Sequence, residues 1–142
     1  MRRSVSLQFS SDGEDAATKE AFNCLKRAAG IFDFMKEQRL RAVAHAPDTD
    51  FDVRIIEALS LQCLAEANEI TLERARHKKL GPELIASIAR DTELKYAQAE
   101  VLAKQLAEKT LPAYKKYLMF KRFFYKAYTL CYQGSPAHLH VL

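Results

Sequence analysis

Apolar residues recur along the chain at three- and four-residue steps, in four stretches separated by Gly and Pro positions. That period is the helical one, so the pattern predicts four long helices, over about 16–46, 51–79, 82–108 and 111–133. The first follows Ser11-Asp12-Gly13-Glu14, an S-x-x-E capping box weakened by its Gly, and Pro47 stops it. Its apolar stripe is Ala21, Leu25, Ala28, Phe32 and Met35. The second is capped by Asp50 or Asp52 and carries Ile55, Ile56, Leu59, Cys63, Ala67 and Ile70 on one face. Leu61 and Leu64 add apolar surface on other faces, so this helix should be the buried one. At Leu80-Gly81-Pro82 the Gly suits the position after the helix, and the Pro suits the first turn of the next. The third helix has a stripe of mostly small residues, Ile85, Ala89, Thr92, Tyr96, Ala99, Ala103 and Leu106, which lets a neighbour approach closely. Thr110 is placed to cap the fourth, with Pro112 in its first turn and Tyr117, Phe124, Tyr128 and Cys131 facing inward. Helix starts about 30 residues apart, joined by short turns, imply antiparallel neighbours. The fold class expected is therefore all-α, with long antiparallel helices stacked as tetratricopeptide-like hairpins. Residues 1–15 are expected to be unstructured or poorly matched and 135–142 to form a divergent tail.

Composition sharpens this in one respect. Four Gly and four Pro in 142 residues are too few for a turn-rich β-sandwich. Three widely spaced cysteines, Cys24, Cys63 and Cys131, make neither a disulfide framework nor a zinc site and fit a reducing, intracellular setting. The N-terminus has positive charge without a following apolar run, and no stretch reaches eighteen apolar residues. No signal peptide or membrane span is expected, and the ending His138-Leu139-His140-Val141-Leu142 holds no prenylation signal.

Three features could carry chemistry. Glu66, Glu69, Glu73 and His77 resemble half of a carboxylate-bridged metal site, but facing helices supply no matching Glu-x-x-His. A solvated acidic face paired with Arg74, Arg76 and Lys78 is the simpler reading, so neither metal nor cofactor is expected. No nucleophile elbow, zinc-protease motif or Gly-rich phosphate loop occurs, and no catalytic residue is assigned. From Leu111 onward there are five Lys or Arg and no acid, which leaves the remainder of this +4 chain slightly negative. Lys115, Arg122 and Lys126 share a helical face that could contact an anionic membrane surface, with nucleic acid the less favoured partner and a plain solvated face the simplest reading. Finally, Leu84 and Ile88 form an apolar pair on a row that turns polar through Asp91, Lys95 and Gln98. From spacing alone, such a pair is either the edge of the core or a small exposed patch able to receive an amphipathic helix.

Several blocks in register point further. Leu25-Lys26-Arg27-Ala28-Ala29-Gly30-Ile31-Phe32, Gln62-Cys63-Leu64-Ala65-Glu66-Ala67-Asn68-Glu69-Ile70-Thr71, Leu84-Ile85-Ala86, Lys116-Tyr117-Leu118, Phe124-Tyr125-Lys126-Ala127-Tyr128 and Cys131-Tyr132-Gln133-Gly134 together resemble the helical middle of a BRO-one domain. This is the domain of Alix, the rhophilins and BROX, and the likeness covers about residues 22–134. The resemblance implies part of a larger helical solenoid, a non-enzymatic adaptor that docks the C-terminal amphipathic helix of the charged multivesicular body proteins of ESCRT-III. It implies a cytoplasmic protein, peripheral at endosomal or nuclear-envelope membranes. The family's central apolar anchors correspond to Leu84 and Ile88, which selects the exposed-patch reading. Thr71 stands where Alix has a large aromatic, Arg74 where a basic residue could meet acids on the partner, and Asn23 where the family often has a cation. A family domain is longer than this chain, so the sequence reads as a truncated or internally initiated product or a partial gene model, with limited stability and self-association expected.

Overall fold

The computed structural model describes the backbone of residues 2–41 and 52–134, and side chains from residue 13 onward within those spans. The four expected helices are present, as α1 (Arg2–Arg41), α2 (Val53–His77), α3 (Pro82–Lys104) and α4 (Pro112–Gln133). Among the described residues there is no strand. The break at Pro47, the Asp50 alternative cap and the tail from 135 lie outside the described residues.

Each helix packs on its neighbour in sequence, α1 on α2, α2 on α3 and α3 on α4. Among the described residues α1 and α4 do not meet, so the four make an open array rather than a closed bundle. Cross-helix pairs run antiparallel between neighbours, Asp15 with Arg74 and Lys36 with Glu57 on α1 and α2, Asn68 with Asp91 on α2 and α3. The inner helices hold the core. Every residue from Asp52 to Ile70 is buried or half-buried, as apolar side chains all round α2 require. The entire expected α3 stripe from Ile85 to Leu106 is buried. Its small residues let α4 close over α3, and six alanines of α2 and α3 are exposed by 2% or less: Ala58, Ala65, Ala67, Ala89, Ala99 and Ala103.

Three boundaries differ from expectation. α1 is already helical at Arg2, so Ser11–Glu14 is not a start signal, and within the segment expected to be unstructured or poorly matched residues 2–15 are helical. A single Gly13 inside a helix costs only about 1 kcal/mol, and Thr18 donates its hydroxyl to the Glu14 carbonyl at 2.8 Å, as inside any helix. α3 ends at Lys104, short of 108, where Gln105 and Leu106 turn back onto Leu102 and Ala103 through 3.2 Å bonds. The cap of α4 is Leu111 rather than Thr110, in a left-handed conformation (φ 48°). Asp52 does cap α2, accepting from the Arg54 backbone N–H at 2.8 Å.

The end of α2 departs from the glycine rule in an instructive way. The amide of Leu80 donates to the Ala75 carbonyl and that of Lys79 to Arg76, each at 3.0 Å. This is the Schellman pattern, with Lys79 at the left-handed position (φ 53°) and Gly81 displaced to cap α3. A side chain there is strained. Lys79→Gly is therefore expected to stabilise the chain, by about 0.5–1 kcal/mol after the entropic cost of glycine in the unfolded chain. Thermal unfolding of the two proteins measures it.

The inward face of α4 is rotated relative to the expected stripe. Leu118, Tyr125 and Thr129 are buried, flanked by half-buried Tyr114, Tyr117, Lys121, Tyr128 and Tyr132, while Phe124 and Cys131 are exposed. The cause is visible in the partners. Tyrosines can bury their rings and still give their hydroxyls to acids, so they outcompete phenylalanine for a core edge lined by glutamates.

Candidate functional site

Leu84 and Ile88 occupy the first turns of α3, directly after the tight α2–α3 turn. That turn brings Leu80 and the last turns of α2 beside them. With Phe22 and Lys19 of α1 they line a groove of about 520 Å³, whose remaining walls are Ile70, Thr71, Arg74, Ala75 and Lys78. All four residues singled out for partner binding, Leu84, Ile88, Thr71 and Arg74, thus meet in one concavity built from three helices. Its size falls within the roughly 300–1,000 Å³ of typical ligand clefts.

The two readings left open by spacing are both realised. Ile88 packs against the core cluster and forms the floor, while Leu84 is 49% exposed on the rim. Leu80, 42% exposed, extends the apolar rim. Thr71 turns its hydroxyl back to the Ala67 carbonyl at 3.2 Å, which satisfies that hydroxyl within its own helix. A small side chain there leaves volume that a large aromatic would fill.

Cations edge the groove. Lys19, Arg74 and Lys78 all line it, and Arg74 reaches Asp15 of α1 at 3.4 Å across an exposed pair. Such a pair contributes little to stability and exchanges readily for another acid. Next to it a more polar hollow is lined by Glu14, Asp15, Thr18, Glu73 and His77. Glu73 accepts from Arg76 at 2.6 Å and contacts His77 at 3.0 Å, and the hydrogen bond from Arg76 is the main reason its carboxyl lies below the usual carboxylate range. Lys19, Phe22, Ile70, Lys78 and Leu80 were not identified from sequence. Phe22 sits one position off the stripe led by Ala21, and Leu80 lies in a loop, where helical periodicity carries no signal.

The remaining acids of the half-motif turn away from this groove. Tyr117 donates to Glu66 at 2.8 Å and Tyr96 to Glu69 at 2.5 Å, and Lys121 pairs with both Glu69 oxygens at 3.0 and 3.1 Å. The expected solvated acidic face is thus wrong for Glu66 and Glu69, which tie α4 to α2 across α3. Only Glu73, with Arg76 and His77, sits on a solvated face. Burial, reinforced by these carboxylates, pushes the Tyr96 and Tyr117 hydroxyls well above the ordinary tyrosine range, so they remain donors.

The expected cationic contact face is also redistributed. Lys115 donates to the Ala107 carbonyl at 2.7 Å and closes the α3–α4 turn. Arg122 is held by Glu100 through its Nε and, at 3.3 Å, its Nη2. Lys126 alone of the three is fully outward. Among the described residues no helix is long and apolar enough to cross a membrane.

Comparison with known proteins covers nearly the whole chain. The model of the BRO1-like domain matches residues 4–138, well beyond the 22–134 legible by eye. The human BRO1 domain-containing protein BROX is 41% identical over 124 residues, covering 86% of this chain and 30% of that protein. The Caenorhabditis elegans BROX homolog is 28% identical over 136 residues, 94% of this chain and 32% of the relative. The vacuolar protein-sorting protein BRO1 of Gibberella zeae is 34% identical over 87 residues, 61% of this chain and 8% of the relative. The chain thus spans about a third of the length of the BROX proteins it matches.

Proposed function

The chain belongs to the BRO1-like domain family, and from that premise we propose that it is a non-enzymatic adaptor module whose groove receives an amphipathic partner helix. The occupant is the C-terminal helix of an ESCRT-III charged multivesicular body protein, in endosomal sorting or membrane remodelling. The single observation that carries this reading is the convergence of Leu84, Ile88, Thr71 and Arg74 on one cleft with an apolar floor and a cationic rim.

A helix entering this cleft sets two or three apolar side chains on Ile88, Leu84 and Leu80. Acids on its flanks approach Lys19, Arg74 and Lys78, which fix orientation and raise the association rate more than the affinity. Most of the binding free energy falls on the apolar anchors. The likeness to vacuolar protein-sorting proteins agrees with a role in sorting.

A fluorescent tail-helix peptide titrated with the 142-residue chain tests this. Leu84→Asp is expected to weaken binding by about 2 kcal/mol or more, roughly thirtyfold in Kd. Because Leu84 is half exposed, the variant should keep its circular dichroism spectrum. Unchanged affinity in a folded variant would remove Leu84 from the site.

A further inference from the structure

Lys121 is placed unlike its neighbours on α4. Lys116 and Lys126 stand exposed, whereas the Lys121 side chain is only 22% exposed and reaches Glu69 of α2. Its ammonium lies 5.6 Å from the centroid of the Tyr117 ring and 5.9 Å from those of Tyr96 and Tyr125, each close enough for the ring face to attract a cation. Tyr96 and Tyr125 are nearly parallel, 12° apart, and Tyr117 stands at 84° to Tyr96, so one ring is set across two others. Glu69 completes the enclosure, both of its oxygens accepting from Lys121 Nζ, at 3.0 and 3.1 Å. The sequence builds this simply. Tyr117, Lys121 and Tyr125 are four apart on one face of α4, Tyr96 comes from α3 and Glu69 from α2. Bonds that do not involve Lys121 hold the walls: Tyr96 donates to Glu69 at 2.5 Å and Tyr117 to Glu66 at 2.8 Å, and Tyr96 and Tyr125 are buried.

We infer that Tyr96, Tyr117, Tyr125 and Glu69 form a binding cage for alkylammonium ions, which the chain fills with its own Lys121 and which takes a free alkylammonium ion when that side chain is removed. The occupant observed, a primary ammonium on an alkyl stem, names the ligand class. Three ring faces attract positive charge whatever its hydrogen-bonding groups, the carboxylate receives the N–H donors, and the rings give the stem apolar contact. A neutral molecule of the same shape gains only the last of these. Because its walls are anchored by Tyr96, Tyr117 and burial, the cage outlasts the loss of Lys121 and leaves a negatively charged, ring-lined opening between α2, α3 and α4. Nothing in this depends on the docking groove, which lies on α1, α2 and the start of α3.

Chemical rescue of the full chain tests it. Lys121→Ala deletes the side chain from Cγ to Nζ, which is n-propylammonium in all but its link to the chain. The variant should melt several degrees below the parent, and n-propylammonium chloride should restore much of that loss, saturably and at millimolar concentration, as a ligand that binds only the folded state does. Sodium chloride at equal ionic strength and n-propanol at equal concentration should not. The parent, whose cage is full, and Lys121→Met, whose thioether fills it without charge, should not respond to n-propylammonium. The proposal is overturned if n-propylammonium gives no saturable rise in Lys121→Ala, if n-propanol does as well, or if the parent or Lys121→Met rises equally. Should circular dichroism show Lys121→Ala unfolded at room temperature, refolding by n-propylammonium supports the cage and failure to refold overturns it.

Discussion

Tyr96→Ala is expected to remove most of the stability of this chain. Tyr96 is fully buried at the centre of α3, stacked on Tyr125 with centroids 6.0 Å apart and set edge-on to Tyr117 at 6.3 Å. Lys121 lies over its ring at 5.9 Å, and its hydroxyl donates to Glu69. Truncating a buried aromatic to alanine costs about 3–5 kcal/mol through lost transfer energy and the cavity left behind. Here the cavity opens between α2, α3 and α4 together, so collapse around it is difficult. Against a typical total of about 5–15 kcal/mol, such a loss leaves a large unfolded fraction. Tyr96→Phe separates ring from hydroxyl. It keeps the packing and leaves Glu69 paired with Lys121, so about 1 kcal/mol should go. Urea unfolding followed by circular dichroism reads both. A Tyr96→Ala protein as stable as its parent would mean that the three helices do not close on this ring.

The second large effect concerns Glu100, almost wholly buried beneath the α3–α4 contact. Burial pushes its carboxyl pKa up, but hydrogen bonds and charge from Arg122 and Lys104 outweigh that and hold it below the ordinary value. Arg122→Leu leaves the carboxylate buried with Lys104 alone. Breaking a buried pair costs about 3–5 kcal/mol; because Arg122 is about a quarter exposed and Lys104 remains, about 2–3 kcal/mol is expected. The sign of the pH dependence follows from the depressed carboxyl. Its contribution is present above the unfolded carboxylate pKa and is lost as pH falls through the lower, folded value. Stability should therefore decline on acidification in the parent, and Glu100→Gln should flatten that decline. A decline of the same steepness in Glu100→Gln would assign it to other carboxylates.

Much of the fold was legible because helical spacing and breakers speak plainly here. The α3 stripe from Ile85 to Leu106 was read residue for residue, and the all-round apolar character of α2 placed it centrally. What failed did so for local reasons. The capping box at Ser11–Glu14 lacks any signal stopping the helix before it, so α1 simply runs through. On α4, Tyr and Phe are equally apolar to a periodicity argument, and only the position of Glu66 and Glu69 decides which of them turns inward. The same blindness made Arg122 read as a surface cation, since Glu100 lies 22 positions away and on another helix. At the groove, spacing could name Leu84 and Ile88 yet not choose between core edge and patch, because one is the floor and the other the rim. The three-helix convergence that adds Phe22, Ile70 and Leu80 depends on tertiary placement that no single-helix pattern contains.

The most direct test of the account is to map the bound peptide onto the chain by amide chemical shifts, using the isotopically labelled 142-residue protein and an unlabelled ESCRT-III tail-helix peptide. The account predicts that the largest changes at saturation cluster at Ile70, Thr71, Arg74, Leu84 and Ile88, with α4 little affected. Changes centred instead on Phe120, Phe123 and Leu130, or a spectrum left unmoved by peptide in a well-folded chain, would contradict it.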